Sequence, residues 1–134
     1  ITGITFGAFD LLHAGHVSFI KECRAASHFL IVGLHVDPSV ERASKNKPAQ
    51  SVYERYLQLE ACKYVDKIIP YETEKDIENI LAISKVNRRF LGTEYIDVEY
   101  TAKKLCEKLN IEVIFIPRMH SYSSSDLRQR MRRK

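Results

Sequence analysis

The sequence lacks the features that mark membrane-spanning and disulfide-bonded proteins. No apolar run approaches the roughly 18 residues of a membrane-spanning helix, and no charged segment followed by an apolar one marks a secretory signal. Cysteine is scarce: Cys23, Cys62 and Cys106 lie far apart and are odd in number, so neither a disulfide framework nor a CxxC metal site fits. These absences predict a cytoplasmic protein without membrane contacts, whose cysteines are reduced.

Linkers, internal repeats and low-complexity tracts are absent as well. A chain of 134 residues is long enough to bury one substantial core. Its 45% hydrophobic and 28% charged residues are those of a globular protein. We therefore expect residues 1–134 to form a single domain.

The basic C-terminal sequence RQRMRRK lacks interleaved aromatic residues, which stacking on a single-stranded nucleic acid needs. Its cations suit the negative end of a final, solvated helix. We expect no nucleic-acid partner here. A basic patch that binds nucleic acid is the alternative.

Apolar runs alternate with segments of helical periodicity along the chain. The predicted strands are residues 4–9, 29–35, 65–69, 87–91 and 111–116, and the predicted helices are 14–26, 52–63, 74–84, 98–109 and 124–132. Such alternation is typical of a parallel sheet with helices on both faces. We predict a single doubly wound, Rossmann-like α/β domain with a five-stranded parallel sheet.

Three of the predicted helices begin with capping-box spacing, in which a hydroxyl caps the helix and an acid reaches back. The pairs are Ser51 with Glu54, Thr73 with Asp76, and Ser123 with Asp126.

The sequence ITFGAFDLLHAGHVSFI, residues 4–20, predicts a strand that breaks at Gly7, a loop, and a helix whose opening carries two histidines. Free N–H groups and the helix dipole make such a helix start an anion site. His13 and His16 are three residues apart and share a face, while Gly15 leaves room for a phosphate. Zinc is the alternative for a histidine pair, but it needs further ligands.

In doubly wound folds, ligands bind beyond the carboxyl ends of the strands. The segments that follow the predicted strands are residues 7–16, 36–50, 70–75, 92–97 and 117–125, and all contain polar side chains suited to a phosphorylated ligand. We expect these segments to converge on one site.

The run GAFDLLHAGH resembles the GTFDLLHxGH opening of the HxGH nucleotidyltransferases, the cytidylyltransferase-like superfamily. The resemblance covers nearly the whole chain, and glycerol-3-phosphate cytidylyltransferases are the nearest type. It implies transfer of CMP from CTP to a small phosphorylated alcohol such as glycerol 3-phosphate, with release of pyrophosphate. Mg²⁺ would accompany the triphosphate, and a homodimer is usual. Adenylyl transfer to a phosphorylated coenzyme precursor and a non-catalytic nucleotide-binding module are the alternatives.

A second motif, PRMHSYSSSDLR, resembles the RTEGISTT motif of the same family, with Arg118 and the serines at 123–125 matching. An arginine fork and hydroxyls at a helix start suit phosphate. The segment GTEYID occupies the position of the family's GDDW-like segment near the base and ribose. Here Gly92 permits close approach and Glu94 offers an acceptor, whereas Ala8 stands where the family has threonine.

The polar loop SVERASKNKPAQS carries Lys45 and Lys47, which resemble the lysines that close over the substrates in this family. Solvated loop charges are the alternative. Asp10 and Asp37 each follow a strand; Asp10 could orient a histidine, hold Mg²⁺ or cap the first helix, and capping is the default for such a residue.

We expect the site to consist of the following residues. The catalytic residues are His13, His16, Lys47 and Arg118; the nucleotide-binding residues are Gly7, Ala8, Phe9, His13, Gly15, His16, Lys47, Gly92, Glu94, Arg118, Tyr122, Ser123, Ser124 and Ser125; and the substrate-binding residues are Asp10, Asp37, Lys45, Arg55 and Lys75. No protein side chains are expected to form a metal cage of their own.

Overall fold

The computed structural model describes residues 1–117, which form a five-stranded, all-parallel sheet with helices on both faces. The strands are β1 Thr2–Gly7, β2 Phe29–His35, β3 Lys67–Tyr71, β4 Arg88–Gly92 and β5 Glu112–Ile116. The helices are α1 Ala14–Ala25, α2 Val52–Glu60, α3 Glu74–Ile83 and α4 Lys103–Lys108, with a short 3-10 helix at Thr93–Tyr95. The predicted doubly wound, Rossmann-like fold is confirmed.

The spatial order of the strands is β3-β2-β1-β4-β5. The chain winds outward from β1 through β2 to β3, and then returns to the other side of β1 for β4 and β5. The winding direction therefore changes between β1 and β4, where doubly wound folds bind their ligands.

Alternate residues of the strands feed two separate cores, because successive side chains point to opposite faces of a sheet. In β2, Leu30 and Val32 join a core with α1 and α2, which contribute Ile20 and Leu59. Ile31 joins the second core, in which α3 and α4 bury Ile77, Leu81 and Cys106. Helices α1 and α2 thus cover one face, and α3 and α4 cover the other.

Two helix starts follow their predicted capping boxes. The hydroxyl of Ser51 accepts from the Glu54 N–H at 3.1 Å, and the Glu54 carboxylate accepts from the Ser51 N–H at 2.9 Å. Thr73 and Asp76 form the equivalent pair before α3. The third predicted pair and the helix predicted at 124–132 lie outside the described residues.

Helix α4 is much shorter than the predicted span of 98–109. Tyr100 and Thr101 turn inward instead: the ring of Tyr100 lies over the buried guanidinium of Arg89, and the Thr101 hydroxyl donates to Glu74. These tertiary contacts override the local helical pattern. Strand β1 also differs, since it ends at Gly7 and leaves Phe9 in the following loop.

The cysteines are free thiols, as predicted. Cys23 and Cys106 are buried, and burial raises the pKa of the Cys23 thiol. Within residues 1–117, no helix has the length and apolar character needed to cross a membrane.

Candidate active site

The loop that joins β1 to α1 lies at the change of winding direction. β1 pairs with β2 on one side and with β4 on the other, so this loop is central along the edge formed by the carboxyl ends of the strands. The segments after β2, β3 and β4 begin at the same edge, because the sheet is parallel. Four of the five predicted ligand-binding segments therefore begin at this edge, although β3 extends to Tyr71, so the segment after it begins at residue 72 rather than 70.

His13 and His16 stand together at the start of α1. The centres of their rings are 4.0 Å apart with an angle of 31° between the planes. His13 is the N-cap: its Nδ1 accepts from the Gly15 N–H at 3.0 Å, while Nδ1 of His16 accepts from the His13 N–H at 3.2 Å. The two imidazoles thus form a reciprocal cap, and the prediction that they share one face is confirmed.

This cap also determines where each imidazole carries its proton. A ring nitrogen that accepts from a backbone N–H is unprotonated, so a neutral histidine then holds its proton on the other nitrogen. In both His13 and His16 the Nδ1 atom is the acceptor. Each neutral ring therefore presents an Nε2–H donor, the kind of group that hydrogen-bonds a phosphate oxygen.

The loop before the histidines has an unusual backbone. Phe9 and Leu11 both have positive φ angles, 49° and 52°, in a region of backbone conformation that residues other than glycine seldom adopt. The Phe9 ring is buried and meets the His16 ring edge-on at 5.7 Å between centres. The Leu11 N–H donates to the side chain of Gln50 at 2.8 Å. Such strain persists where surrounding contacts hold it, and it is common at binding sites.

Asp10 does not cap α1, contrary to the default reading of its position. The cap is His13, and the Asp10 carboxylate instead accepts from the N–H groups of Ala49 and Gln50 at 2.8 and 3.0 Å. A carboxylate at the end of a short loop can reach a neighbouring segment that a sequence pattern does not show. Asp10 therefore joins the histidine loop to the segment before α2.

Arg55 strengthens the same junction from inside the protein. Its side chain is 1% exposed and donates to the carbonyls of Ala8, His35, Val36 and Gln50. Burial lowers the pKa of the guanidinium, which Asp10 and Asp37 oppose. The predicted substrate contact of Arg55 stays a prediction, while the structure shows a residue that joins the histidine loop to the end of β2 and to both ends of the segment 36–50.

The lysine loop, residues 36–50, begins with a turn stabilised by Asp37. The Asp37 carboxylate accepts from both the hydroxyl and the N–H of Ser39, at 2.6 and 2.9 Å. These hydrogen bonds lower the pKa of Asp37, and the charge of Lys47 contributes to the same effect. Lys45 is exposed, and its N–H donates to the carbonyl of Arg42 at 2.9 Å.

The segment after β4 starts with Gly92, which precedes the 3-10 helix. The carboxylate of Glu94 folds back over Gly92 into space that a Cβ atom would fill. The φ of Gly92 is an ordinary −70°, and the Glu94 carboxylate is the end of a flexible side chain that can move aside for a Cβ atom, so the backbone does not require glycine at this position. The base and ribose contacts of both residues remain predictions.

Lys75 follows the edge strand β3, which lies two strands away from β1. It is in the first turn of α3, beyond the edge strand β3, and pairs with Glu78 at 2.9 Å. Two strand spacings of about 4.8 Å separate β3 from β1. The predicted substrate contact of Lys75 stays a prediction.

The remaining predicted site residues lie outside the described part of the chain. They are Arg118, Tyr122, Ser123, Ser124 and Ser125. Their convergence with the histidines stays a prediction.

Within residues 1–117, no three His, Cys, Asp or Glu side chains are grouped closely enough to hold a metal. Asp10 and Asp37 are oxygen donors at the correct edge of the sheet, and both already accept backbone N–H groups. A hard cation here would take most of its ligands from a bound triphosphate.

Gln50, Glu74 and Arg89 were not anticipated. Gln50 holds the Leu11 N–H, Glu74 contacts both Arg42 and Thr101, and Arg89 is a buried cation on β4. The only hint in the sequence was an arginine within an apolar strand pattern, since the other two contacts join distant segments.

The sequence profile of one protein family, described as cytidylyltransferase-like, matches residues 4–130. Ethanolamine-phosphate cytidylyltransferase from Arabidopsis thaliana is 40% identical over 84 residues, which are 60% of this chain and 20% of that protein. Bifunctional protein HldE from Helicobacter hepaticus is 31% identical over 130 residues, which are 96% of this chain and 26% of that protein. The chain spans about a quarter or less of the length of these curated relatives.

Solved structures share the same fold. A lipopolysaccharide core biosynthesis protein from Thermoplasma volcanium has a TM-score of 0.67 at 26% identity, and the match covers 92% of this chain and 98% of that one. Pantothenate synthetase from Thermus thermophilus has a TM-score of 0.65 at 13% identity, with 96% of this chain and 64% of that chain covered. The second likeness concerns the fold alone.

Proposed function

Because the chain belongs to the cytidylyltransferase-like family, we propose that it transfers CMP from CTP to a small phosphorylated alcohol and releases pyrophosphate. A phosphate oxygen of the acceptor attacks the α-phosphorus of CTP, and the bond from the α-phosphorus to the oxygen bridging the β-phosphate breaks. That oxygen leaves with pyrophosphate. No covalent nucleophile of the protein is needed.

The observation that supports this proposal most is the paired cap of His13 and His16. Their Nδ1 atoms accept backbone N–H groups, so both rings have a set orientation and, when neutral, carry their proton on Nε2. Donors placed in advance around developing charge stabilise a phosphoryl transition state without reorganisation. The positive end of α1 adds to the same effect.

The lysine loop and the segment after β4 complete the proposed site. Lys47 would neutralise charge on the triphosphate, and Glu94 would accept a hydrogen bond from the nucleoside. Mg²⁺ bound with the triphosphate would supply further charge neutralisation. Arg118 and the serines at 123–125 are proposed to hold the outgoing pyrophosphate, and a homodimer in the cytoplasm remains part of the proposal.

The acceptor proposed first is ethanolamine phosphate. Two relatives, from Arabidopsis thaliana and Dictyostelium discoideum, are named ethanolamine-phosphate cytidylyltransferases and are 40% and 39% identical over 84 residues each. Glycerol 3-phosphate, which the sequence motifs suggested, has no such support. It belongs in the test as a competitor.

The test measures pyrophosphate release with CTP or ATP and each of three acceptors: ethanolamine phosphate, choline phosphate and glycerol 3-phosphate. We expect release that depends on Mg²⁺ and CTP and is fastest with ethanolamine phosphate. Release with ATP alone would reject the cytidylyl assignment. No release with any pair would reject this nucleotidyl transfer.

Two substitutions of His16 separate its proposed catalytic role from its role as a cap. Asn places an acceptor near the position of Nδ1 and removes the Nε2–H donor, whereas Ala removes both. We expect both His16→Asn and His16→Ala to lower turnover about 10²- to 10³-fold. Both variants lose the ring contacts with His13 and Phe9, and His16→Ala should lose about 0.5–2 kcal/mol more of unfolding free energy than His16→Asn, because only Asn keeps an acceptor for the His13 N–H.

The exposed His28 provides the control, since His28→Asn removes an imidazole remote from the site. Turnover by His16→Asn equal to that of His28→Asn would contradict the donor role of His16.

A further inference from the structure

We propose that Glu74 is a positioning residue that ties the lysine loop to the segment after β4. The inference rests on the proposed function, because it assigns a catalytic purpose to that loop. Glu74 is the first residue of α3, beyond the edge strand, and no motif in the sequence pointed to it.

The Glu74 carboxylate contacts one residue from each of the two segments. Its Oε1 lies 2.6 Å from Nη2 of Arg42, in the lysine loop, and its Oε2 lies 2.9 Å from the same nitrogen. The hydroxyl of Thr101 donates to Oε2 at 2.8 Å. Although burial alone would raise the pKa of the Glu74 carboxyl, the hydrogen bonds from Thr101 and Arg42 lower it overall. Glu74 is therefore charged when it makes these contacts.

A second contact, through Glu41, holds the lysine loop to the start of α3. The backbone N–H of Glu74 donates to the Glu41 carboxylate at 2.7 Å, which satisfies one of the unpaired N–H groups at the start of α3. Arg42 then accepts the N–H of Lys45 through its carbonyl. The fixed pair at 41–42 thus leads directly into the stretch that carries both lysines.

Thr101, the second partner of Glu74, is held by a residue of the sheet. Arg89 of β4 donates from Nη1 to the carbonyl of Thr101, and its guanidinium lies 5.2 Å from the centre of the Tyr100 ring. Arg89 is 3% exposed. Thr101 is therefore held by a buried cation through its carbonyl while its hydroxyl binds Glu74.

These contacts connect segments that leave the sheet on opposite sides of β1. The lysine loop follows β2, and Thr101 belongs to the segment after β4. A loop that is anchored at residues 41–42 samples fewer positions, so a larger fraction of molecules has the lysines in the reactive arrangement. Without the contact between Glu74 and Arg42, a smaller fraction of molecules should have the lysines in the reactive arrangement. Turnover should fall accordingly, because loop movements limit kcat in many enzymes.

The experiment compares Glu74→Ala with Glu78→Ala. Both residues lie in α3 one turn apart and line the same cleft of about 460 Å³, but within residues 1–117 Glu78 is ion-paired only with Lys75. We expect Glu74→Ala to lower kcat about tenfold, the effect of losing a half-exposed charged contact. Glu78→Ala should stay within about twofold of the parent protein.

Hydrogen exchange gives a readout that does not depend on catalysis. Amides of residues 41–45 should exchange faster in Glu74→Ala than in Glu78→Ala, while the amides of β1 and β2 exchange equally in both. Swapping the charges with Arg42→Glu and Glu74→Arg restores the contact to the loop, so protection of 41–45 should return. Thr101→Val removes the hydrogen bond from Thr101 to Glu74 and leaves the contact between Glu74 and Arg42 in place.

Three outcomes decide between the hypotheses. If the parent protein releases no pyrophosphate with any substrate pair, the proposed function fails, and hydrogen exchange still tests the tie. If the parent is active and Glu74→Ala matches Glu78→Ala in both readouts, the tie is wrong while the function stands. A fall in kcat with unchanged exchange at 41–45 would also overturn it, because Glu74 would then act by another route.

Discussion

Two buried arginines support the candidate site from opposite sides, and their surroundings differ. Arg55, beside the histidine loop, is 1% exposed and donates to four backbone carbonyls. Arg89, beside the segment after β4, is 3% exposed and donates to one carbonyl, with a weak contact to the sulfur of Cys106 at 3.9 Å. Its Nε has no hydrogen-bond partner within residues 1–117, and the rings of Phe6 and Tyr100 cover its guanidinium.

The difference concerns what a buried cation contributes to stability. A guanidinium that donates four of its five N–H groups to carbonyls, as Arg55 does, largely offsets the cost of removing it from water, and its removal leaves those carbonyls unpaired. A guanidinium held by one carbonyl and two ring faces is compensated less completely. The histidine side of the site is therefore a satisfied polar junction, and the β4 side is a partly satisfied one.

Arg55→Met should produce the largest change in stability. It leaves the carbonyls of Ala8, His35, Val36 and Gln50 without their donor, so we expect a loss of about 3–5 kcal/mol in unfolding free energy. Chemical denaturation provides the measurement. Arg55→Lys is the control: it keeps the charge, but one ammonium cannot reproduce the planar arrangement of donors, so an intermediate loss is expected. A loss below about 1 kcal/mol in Arg55→Met would remove the contrast between the two arginines.

Arg89→Met sharpens the comparison, because the same substitution is made at the less satisfied arginine. Methionine fills a similar volume between Phe6 and Tyr100, and replacing a poorly compensated buried charge with an apolar side chain is often neutral or stabilising. We expect a change within about 1 kcal/mol, measured by the same denaturation. A loss as large as that of Arg55→Met would indicate that Nε has a partner, such as a buried water molecule.

The parts of the site that the sequence predicted depend on local features of the chain. The pair His13 and His16 was predictable, because a helix start and a spacing of three residues are local features. The parallel, doubly wound sheet was predictable from the regular alternation of strands and helices. Capping by Ser51 and Thr73 was local as well, and both boxes form.

Contacts between distant segments were not predictable from one sequence. Asp10 had the position of a helix cap, yet its carboxylate holds N–H groups 39 and 40 residues away. Helix α4 was predicted too long because the pattern at 98–102 does not reveal that Arg89 and Glu74 draw Tyr100 and Thr101 inward. Such contacts depend on the fold that the local patterns only help to build.

The smallest expected effect concerns His35, which lies at the end of β2 between the two arginine regions. Its ring is buried and stacks on Tyr71 with 4.5 Å between ring centres. Burial lowers the pKa of His35 below its usual 6.5, although the Glu72 carbonyl and the charges of Glu41, Glu74 and Asp37 oppose this. The unfolded chain then binds a proton more readily than the folded protein.

The stability that neutral His35 contributes is therefore fully present above pH 6.5 and declines as the pH falls towards the lower pKa of the folded state. His35→Gln should flatten this decline in unfolding free energy, measured at several pH values above the range near about 4 where carboxylates titrate. Equal pH dependence in the parent and His35→Gln would mean that the folded protein accommodates the charged ring, as the carboxylates around Glu74 would then fully compensate its burial.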